Sequence, residues 1–564
     1  MIVLANGKVI TRDPDGTGYL SDGGVVTDGG KIVEVGTTAD LKAKYPQAEF
    51  VDARGGVIMP GLINAHTHIY SALARGLAIV GNNPTNFYEV LDGTWWAIDR
   101  NLDLEATKAS AQALVIDSIK QGVTTIFDHH ASFCEIPGYL SDGGVVTDGG
   151  KIVEVGKTSD LKAKYPQAEF VDARGGVIMP GLINAHTHIY SALARGLAIV
   201  GNNPTNFYEV LDGTWWAIDR NLDLEATRAS AQALVIDSIK QGVTTIFDHH
   251  ASFCEIPGSL MKIAEVTKEF GMRASLCYEV SDRDGEEKSI QSVQENKDFI
   301  DYCEKNPDPM LKAMFGGHAL FTIGDKTFEK CVKANGGRTG FHIHVCEGMN
   351  DVYDSMKNYG CRSVNRLLYN GILGERTLLG HCIHISPAEM DIIRETGTMV
   401  VNNPESNMGN AVGCSPVLKL FEKGILVGLG TDAYTFDMLE SLKAALTIQR
   451  HNAAMPNVGW NEVTTMLFAN NAKIAAKYFP HELGVIKAGA SADVIGMDYK
   501  PFTPFSAENI DGHMLFGMAG RQCETTMCAG RLLMKDRKLL IADEEAENAK
   551  TLEVSTKLWQ RLNG

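Results

Sequence analysis

The chain has 564 residues, is 44% apolar and 21% charged, and carries a formal net charge of −17. These values fit a soluble globular protein with room for one large core and a satellite domain. The acidic balance argues against nucleic acid or an anionic membrane surface as a partner. No run approaches ~18 uninterrupted apolar residues, so no membrane span is expected.

The N-terminus, MIVLANGKVITRDPDG, reads as a strand entering a turn and lacks the basic start and apolar run of a signal peptide. The eleven cysteines form neither CxxC pairs nor a disulfide framework. Reduced thiols in the cytoplasm are therefore expected. IVLANGKVIT, GGVVTDGGKIVEVG and FVDARGGVIM are short strands punctuated by glycine. LGVIKAGASADVIGMD and CETTMCAGRLLMKDRKLL resemble them near the C-terminus, which predicts a small β-sandwich built from both ends of the chain.

Residues 18–137 and 138–257 align without gaps and differ only at Thr37/Lys157, Ala39/Ser159 and Lys108/Arg228. Solenoid repeats are shorter and more varied. This block is a tandem duplication or an assembly error, and removing either copy leaves a continuous chain of 444 of the 564 residues.

Along that single-copy chain, eight strand-like runs alternate with helical ones such as LEATRASAQALVIDSIKQG. The strands are VIMPGLINAHTH, GVTTIFDHH, RASLCYEV, MLKAMFGGHA, TGFHIHV, RTLLGHC, TMVVNNPES and ILVGLGTD. This pattern predicts an α/β fold, a (β/α)8 TIM-like barrel with the composite β-sandwich attached. No glycine-rich phosphate loop follows a strand, which argues against a doubly wound sheet. His, Asp and Glu collect at the C-terminal strand ends, where barrel enzymes place their sites.

Residues i and i+2 of a strand share a face, about 7 Å apart. His186 and His188 (or His66 and His68 of the first copy) can therefore offer two imidazoles to one ion. In FHIHVCE, His344 is expected as the third ligand and His342 as a deeper barrel residue with a satisfied hydrogen bond. Glu347 follows three residues on, near enough to overhang the ion. LGLGTD ends at Asp432, the expected carboxylate ligand. Three imidazoles and a carboxylate suit one Zn2+ or Fe2+.

PGLINAHTH, HIHVCE, LLGHC, NNPESN and LGTD, in this order, resemble the amidohydrolase superfamily and its mononuclear aminohydrolases, such as guanine deaminases and triazine hydrolases. NNPESNMGNAVGCSP is also similar to a narrower group, the SsnA aminohydrolases linked to selenium metabolism. The resemblance implies hydrolysis of a non-peptide C–N bond in a small heterocycle by a metal-activated water, most simply a deamination. It also admits ring opening or dechlorination at the same site. It implies that Glu347 shuttles a proton to the ring, that Asp432 passes one to the leaving amine, and that His381 orients the attacking oxygen. Relatives of this kind commonly dimerise, so a homodimer is expected on that ground alone.

His318, ending the fourth strand, and His250, ending the second, are expected near substrate; either His249 or His250 could reach the pocket. His384 is expected to be structural or exposed, and Trp215 and Trp216 to be core. Lys312 lies several residues before the strand end, too deep to bridge two metals as a carbamate.

A closed barrel takes one copy of the duplicated strands. A surplus first copy would fall in the tolerant DPDGTG turn, whereas a surplus second copy would obstruct the active-site mouth, so the second copy is expected in the barrel. The expected division is 1–17 first sandwich strand, 18–137 surplus copy, 138–176 sandwich strands, 177–480 barrel, 481–540 C-terminal sandwich strands and 541–564 a helix. The surplus copy should expose VIMPGLI and LAIVG. A reading from another class is an inactive or binding-only protein misassembled by the duplication.

Overall fold

The computed structural model describes all residues except 14–15, 17, 78–83, 100–103, 129–141 and 506–508. The chain divides into two compact units, Met1–Ala74 with Trp95–Ile136, and Arg75–Thr94 with Pro137–Gly564.

The larger unit holds the barrel. Its strands, numbered alone, are β1 (Leu182–Thr187), β2 (Val243–His250), β3 (Arg273–Tyr278), β4 (Leu311–Ala313 continuing as Phe315–Ala319), β5 (Phe341–Val345), β6 (Leu378–His381), β7 (Met399–Asn402) and β8 (Val427–Leu429). Neighbours pair in parallel from β1 through β8. Closure comes where the Thr431 and Asp432 N–H groups both donate to the His186 carbonyl, at 3.0 Å. The first two strands thus come from the second copy of the repeat.

Apart from the half-buried Lys312, each strand is buried along its whole length and is followed by helix, the arrangement that parallel strands require. Local signals stop and start these helices. Asp223 caps Leu224–Lys240 by accepting from the Ala226 N–H (2.8 Å). Ser386 and Glu389 form a reciprocal capping box before Pro387–Glu395. Ile183, Phe247, Met314, Met399, Tyr478 and Phe479 pack together within the barrel unit, so the interior is filled with side chains rather than open. An antiparallel sheet of Val177–Pro180, Val494–Met497, Cys523–Cys528, Arg531–Lys535 and Lys538–Leu539 adjoins it, and Glu544–Asn563 packs as a helix on Leu224–Lys240. Among the described residues, no helix is long and apolar enough to cross a membrane.

In the smaller unit, Ile2–Ile10 pairs with Tyr19–Asp28, Glu49–Asp52 and Val57–Ile58. The strand expected to open a sandwich with residues 138–176 is therefore paired with first-copy residues. These partners lie closer in sequence and cost less loop-closure entropy to reach. Leu62–Thr67 and Val123–Asp128 pair with each other alone.

The two copies differ sharply in burial. Ile63 is 66% exposed and Phe127 61%, whereas their counterparts Ile183 and Phe247 are 3% and 0% exposed. Val57, Met59 and Leu62 of VIMPGLI are exposed, although Ile58 is buried. Leu77 of LAIVG is exposed too; the rest of that stretch lies outside the described residues, as do Pro14, Asp15 and Thr17 of DPDGTG.

Candidate metal centre

The C-terminal ends of β1, β5, β6 and β8 bring His186, His188, His344, His381 and Asp432 together. In overlapping groups with Glu347 they place ligand atoms within 4.8 Å of one another. All are buried. His188 Nε2 lies 2.9 Å from Asp432 Oδ1, and His186 Nε2 lies 3.7 Å from the same oxygen. The Nε2 atoms of His186, His344 and His381 are buried without a hydrogen-bond partner. Buried nitrogens left bare in this way are costly; those of His186 and His381 lie 3.7 and 3.6 Å from Asp432 oxygens, and His344 groups with both rings, an arrangement that a divalent cation would satisfy. The donor set fits one such ion.

The remaining atoms of these side chains are held from behind. His186 Nδ1 meets His342 Nε2 at 2.8 Å, so His342 is the deeper, hydrogen-bonded residue. His188 Nδ1 donates to the His249 carbonyl (2.6 Å), and His381 Nδ1 to Asn407 Oδ1 (2.8 Å). Outer partners of this sort fix the tautomer and aim the ring. Ser406 donates to Asp432 Oδ2. Cys346, His381, Cys382 and Asp432 all adopt left-handed backbone, with φ between 51° and 67°. Each such non-glycine residue costs on the order of 1–3 kcal/mol, and the strain sits at the ends of β5, β6 and β8, where the site is.

Two carboxylates have opposite character. Burial pushes Glu347 well above the usual carboxylate range; His381 opposes this and the Asp432 charge adds to it. Glu347 lies 3.3 Å from His381 Nε2 and accepts from Asn410 (3.1 Å). Burial also disfavours ionised Asp432, but His188, His381 and Ser406 outweigh it and hold the group below its ordinary value. Two neighbouring carboxyls pushed apart in this way can divide acid and base roles.

The other expected residues divide. His318 closes one side, with Trp216 Nε1 3.5 Å from its Nε2 and Nδ1 on Thr322 Oγ1 (2.8 Å); burial lowers its pKa to about 3. His250 turns away toward Tyr190 and Tyr278 and is fully buried, while the adjacent His249 takes the inward face. Alternation along β2 allows only one of the two to face in. His384 is half-buried, its Nε2 donating to the Val412 carbonyl. Trp216 is core yet borders His318, and Trp215 is partly buried. Lys312 Nζ donates to the Asp308 carbonyl (2.7 Å), away from the cluster.

Sequence reasoning missed Glu279, just past β3. It holds His249 Nδ1 at 3.0 Å and lies 3.4 Å from His188 Nδ1. Burial would raise its pKa, but His318, His249 and His188 outweigh that and hold it well below the usual range. Its only signal was an acid near the C-terminal end of RASLCYEV. Ser406, Asn407 and Asn410 were also missed as individual residues.

His66 and His68 sit edge-on, ring centroids 4.8 Å apart, much like His186 and His188 at 4.9 Å. His66 is nonetheless exposed, and among the described residues no group able to hold a metal includes either.

Residues 57–142 and 177–533 match the amidohydrolase family. The chain belongs to that family. Residues 23–48 and 143–168 each match the bacterial imidazolonepropionase-like composite domain. A 5′-deoxyadenosine deaminase of Methanosarcina mazei is 30% identical over 430 residues, covering 75% of this chain and 96% of that protein. Among solved structures, a Xanthomonas campestris adenosine deaminase with bound zinc superposes with a TM-score of 0.65 at 22% identity, over 75% of this chain and 94% of that one. An Arthrobacter aurescens atrazine chlorohydrolase with zinc gives 0.62 at 23% identity, over 74% and 96%. A relative of full length is thus spanned by three-quarters of this chain. The amidohydrolase is a metal-dependent hydrolase of non-peptide C–N bonds.

Proposed function

We propose that this amidohydrolase hydrolytically deaminates an adenine-type heterocycle, with nucleosides such as 5′-deoxyadenosine as the first class to test. The observation that carries the reading is a pair of buried carboxylates, Glu347 pushed up by burial and Asp432 held down by His188, His381 and Ser406, beside three bare imidazole nitrogens. His186, His188, His344 and Asp432 would hold one divalent ion, zinc or iron. When bound, such an ion lowers the pKa of water to about 7 and so supplies the nucleophile at neutral pH.

The chain's own groups do the rest. Glu347 carries the proton that a ring nitrogen needs as the neighbouring carbon is attacked. Asp432, ionised, takes one proton from the attacking water and returns it to the exocyclic amine, which leaves as ammonia, while the water's second proton returns to Glu347 as the hydroxyl becomes the carbonyl. His381, aimed by Asn407, presents Nε2 toward both carboxylates, where it can stabilise the developing oxyanion. His318 and Trp216 border the space that a planar ring would enter.

The test is ammonia release by the metal-loaded chain from adenine nucleosides, guanine and cytosine, with chloride release from a chlorotriazine in parallel. Stoichiometric metal with chloride but no ammonia would overturn deamination in favour of dechlorination. Far less than one metal per chain would favour the inactive reading.

The second copy is proposed as the working one and residues 18–137 as surplus. His186→Ala should then abolish tight metal binding while His66→Ala leaves it intact, read by metal analysis after dialysis; the reverse result overturns the assignment. A cytoplasmic location is proposed from the thiol pattern.

A further inference from the structure

Each copy of the repeat builds a similar acceptor for a β-strand, and among the described residues only one is filled. In the smaller unit, Ile2–Ile10 lies antiparallel to Tyr19–Asp28, with Val3 opposite Val26 and Leu4 opposite Val25. It lies parallel to Glu49–Asp52 and Val57–Ile58. Val3, Ala5 and Val9 are buried there, at 2% exposure or less. The Ala53 and Gly55 N–H groups donate to the Ala5 and Asn6 carbonyls (2.8 and 2.7 Å), and the Asn6 N–H donates to Thr38 Oγ1 (3.1 Å).

The larger unit repeats the hairpin wall and the turn of that slot, although Glu169–Asp172, the counterpart of Glu49–Asp52, forms no strand there. Gly143–Asp148 pairs with Lys151–Lys157 in the same register, Val145 opposite Val155 as Val25 is opposite Val35. Thr158 Oγ1 donates to the Gly143 carbonyl at 3.2 Å, as Thr38 Oγ1 does to that of Gly23 at 3.3 Å. Arg174 and Gly175 turn with φ of 51° and 78°, against 50° and 74° at Arg54 and Gly55. Asp172 accepts from the Arg174 N–H at 2.8 Å, as Asp52 does from Arg54. The strand itself is missing. Among the described residues, Gly143–Asp148 pairs only with its hairpin mate, and Val177–Pro180 only with Val494–Met497. Val146 is half-buried where its counterpart Val26 is fully buried.

We propose that this second slot is a docking site for the Ile2–Ile10 strand of a second copy of the chain. The hairpin wall and the turn match those that already hold this strand, so the occupant is specified by register and side-chain alternation as well as by open backbone groups. Filling it would join the two-stranded hairpin to the five-stranded terminal sheet. Val177–Pro180 is already fixed by Val494–Met497, so less freedom is lost on docking there than at an unsupported edge. Thr11–Gly18 spans at most about 28 Å when extended and would tether donor to acceptor. Each chain carries one strand and two slots, so a strand that docks on a second copy leaves its own first slot, and the exchange gives a reciprocal pair or a longer head-to-tail series.

The test uses a labelled peptide of sequence MIVLANGKVIT with the full-length protein, and sedimentation of the protein alone over a range of concentrations. Saturable binding of one peptide per chain is expected, lost when the peptide carries Leu4→Pro. Gly144→Ala blocks the slot. A methyl at the equivalent Gly24 would meet Ala5 Cβ at 2.3 Å and the Leu4 carbonyl oxygen at 2.6 Å. At Gly144 its nearest neighbour is the flexible end of Leu161, at 3.1 Å, so metal content and melting should not change. The variant should bind the peptide at least tenfold more weakly and lose the larger assemblies. Peptide binding that survives Gly144→Ala, or a wild type that sediments like the variant at every concentration, overturns the proposal.

Discussion

His188 is poised between two demands. Burial disfavours its charge, yet Asp432 and Glu279 raise its pKa to about 9 in the metal-free protein. At pH 7.5 the ring therefore carries a proton that a metal must displace. Metal uptake should release about one proton from this residue, read by calorimetry in two buffers of different ionisation enthalpy. Below pH 9 the affinity should rise about tenfold per pH unit on this account and flatten above it. His381 offers a second test through Asn407, which orients it from outside the cluster. Asn407→Ala should lower turnover by about 10–100-fold and, because it leaves His381 Nδ1 bare in the interior, cost about 1–3 kcal/mol of stability. At this scale the sequence was most legible where histidines recur at fixed spacing, as in HTH, whose two rings both join the cluster, and FHIHV, whose second does. Glu279 was opaque because it acts through His249, a partner brought near only when β2 and β3 lie side by side. His250 was misplaced for a related reason, since the faces of β2 are set by the barrel and not by which histidine comes last.

Two identical strand sequences meet different fates, so propensity cannot be the cause. Leu62–Thr67 and Leu182–Thr187 both form strands and both pair with the strand of their own copy. Only the second pair finds β3 and β8 on its flanks, and only there is the apolar face covered. Phe247→Ala should cost about 3–5 kcal/mol, while Phe127→Ala should stay within about 0.5 kcal/mol, as read from denaturant unfolding. Comparable losses would contradict the burial difference between the copies. The N-terminal strand shows the same lesson in reverse. Its alternating apolar face was legible, but which of the two similar acceptors it fills was not, because the choice rests on loop length and chain order rather than on composition.

For the whole molecule, the duplication adds a block whose apolar residues have no equivalent of the barrel core around them. Deleting residues 18–137 should leave a chain that binds one metal, keeps its activity and melts more cooperatively, with Ile2–Ile10 seated against Gly143–Asp148. Recovery of less metal than the full chain would count against the block being surplus. The sequence by itself determined the barrel, through eight apolar runs ending in polar residues, and pointed to most of the proposed metal donors through their spacing. It also showed that HTH occurs twice while His344, Glu347, His381 and Asp432 occur once. Only the tertiary structure decided which copy those single residues meet, because both copies carry the same local instructions. Barrel closure has room for one β1–β2 pair, and the second copy is the one that β3 and β8 flank.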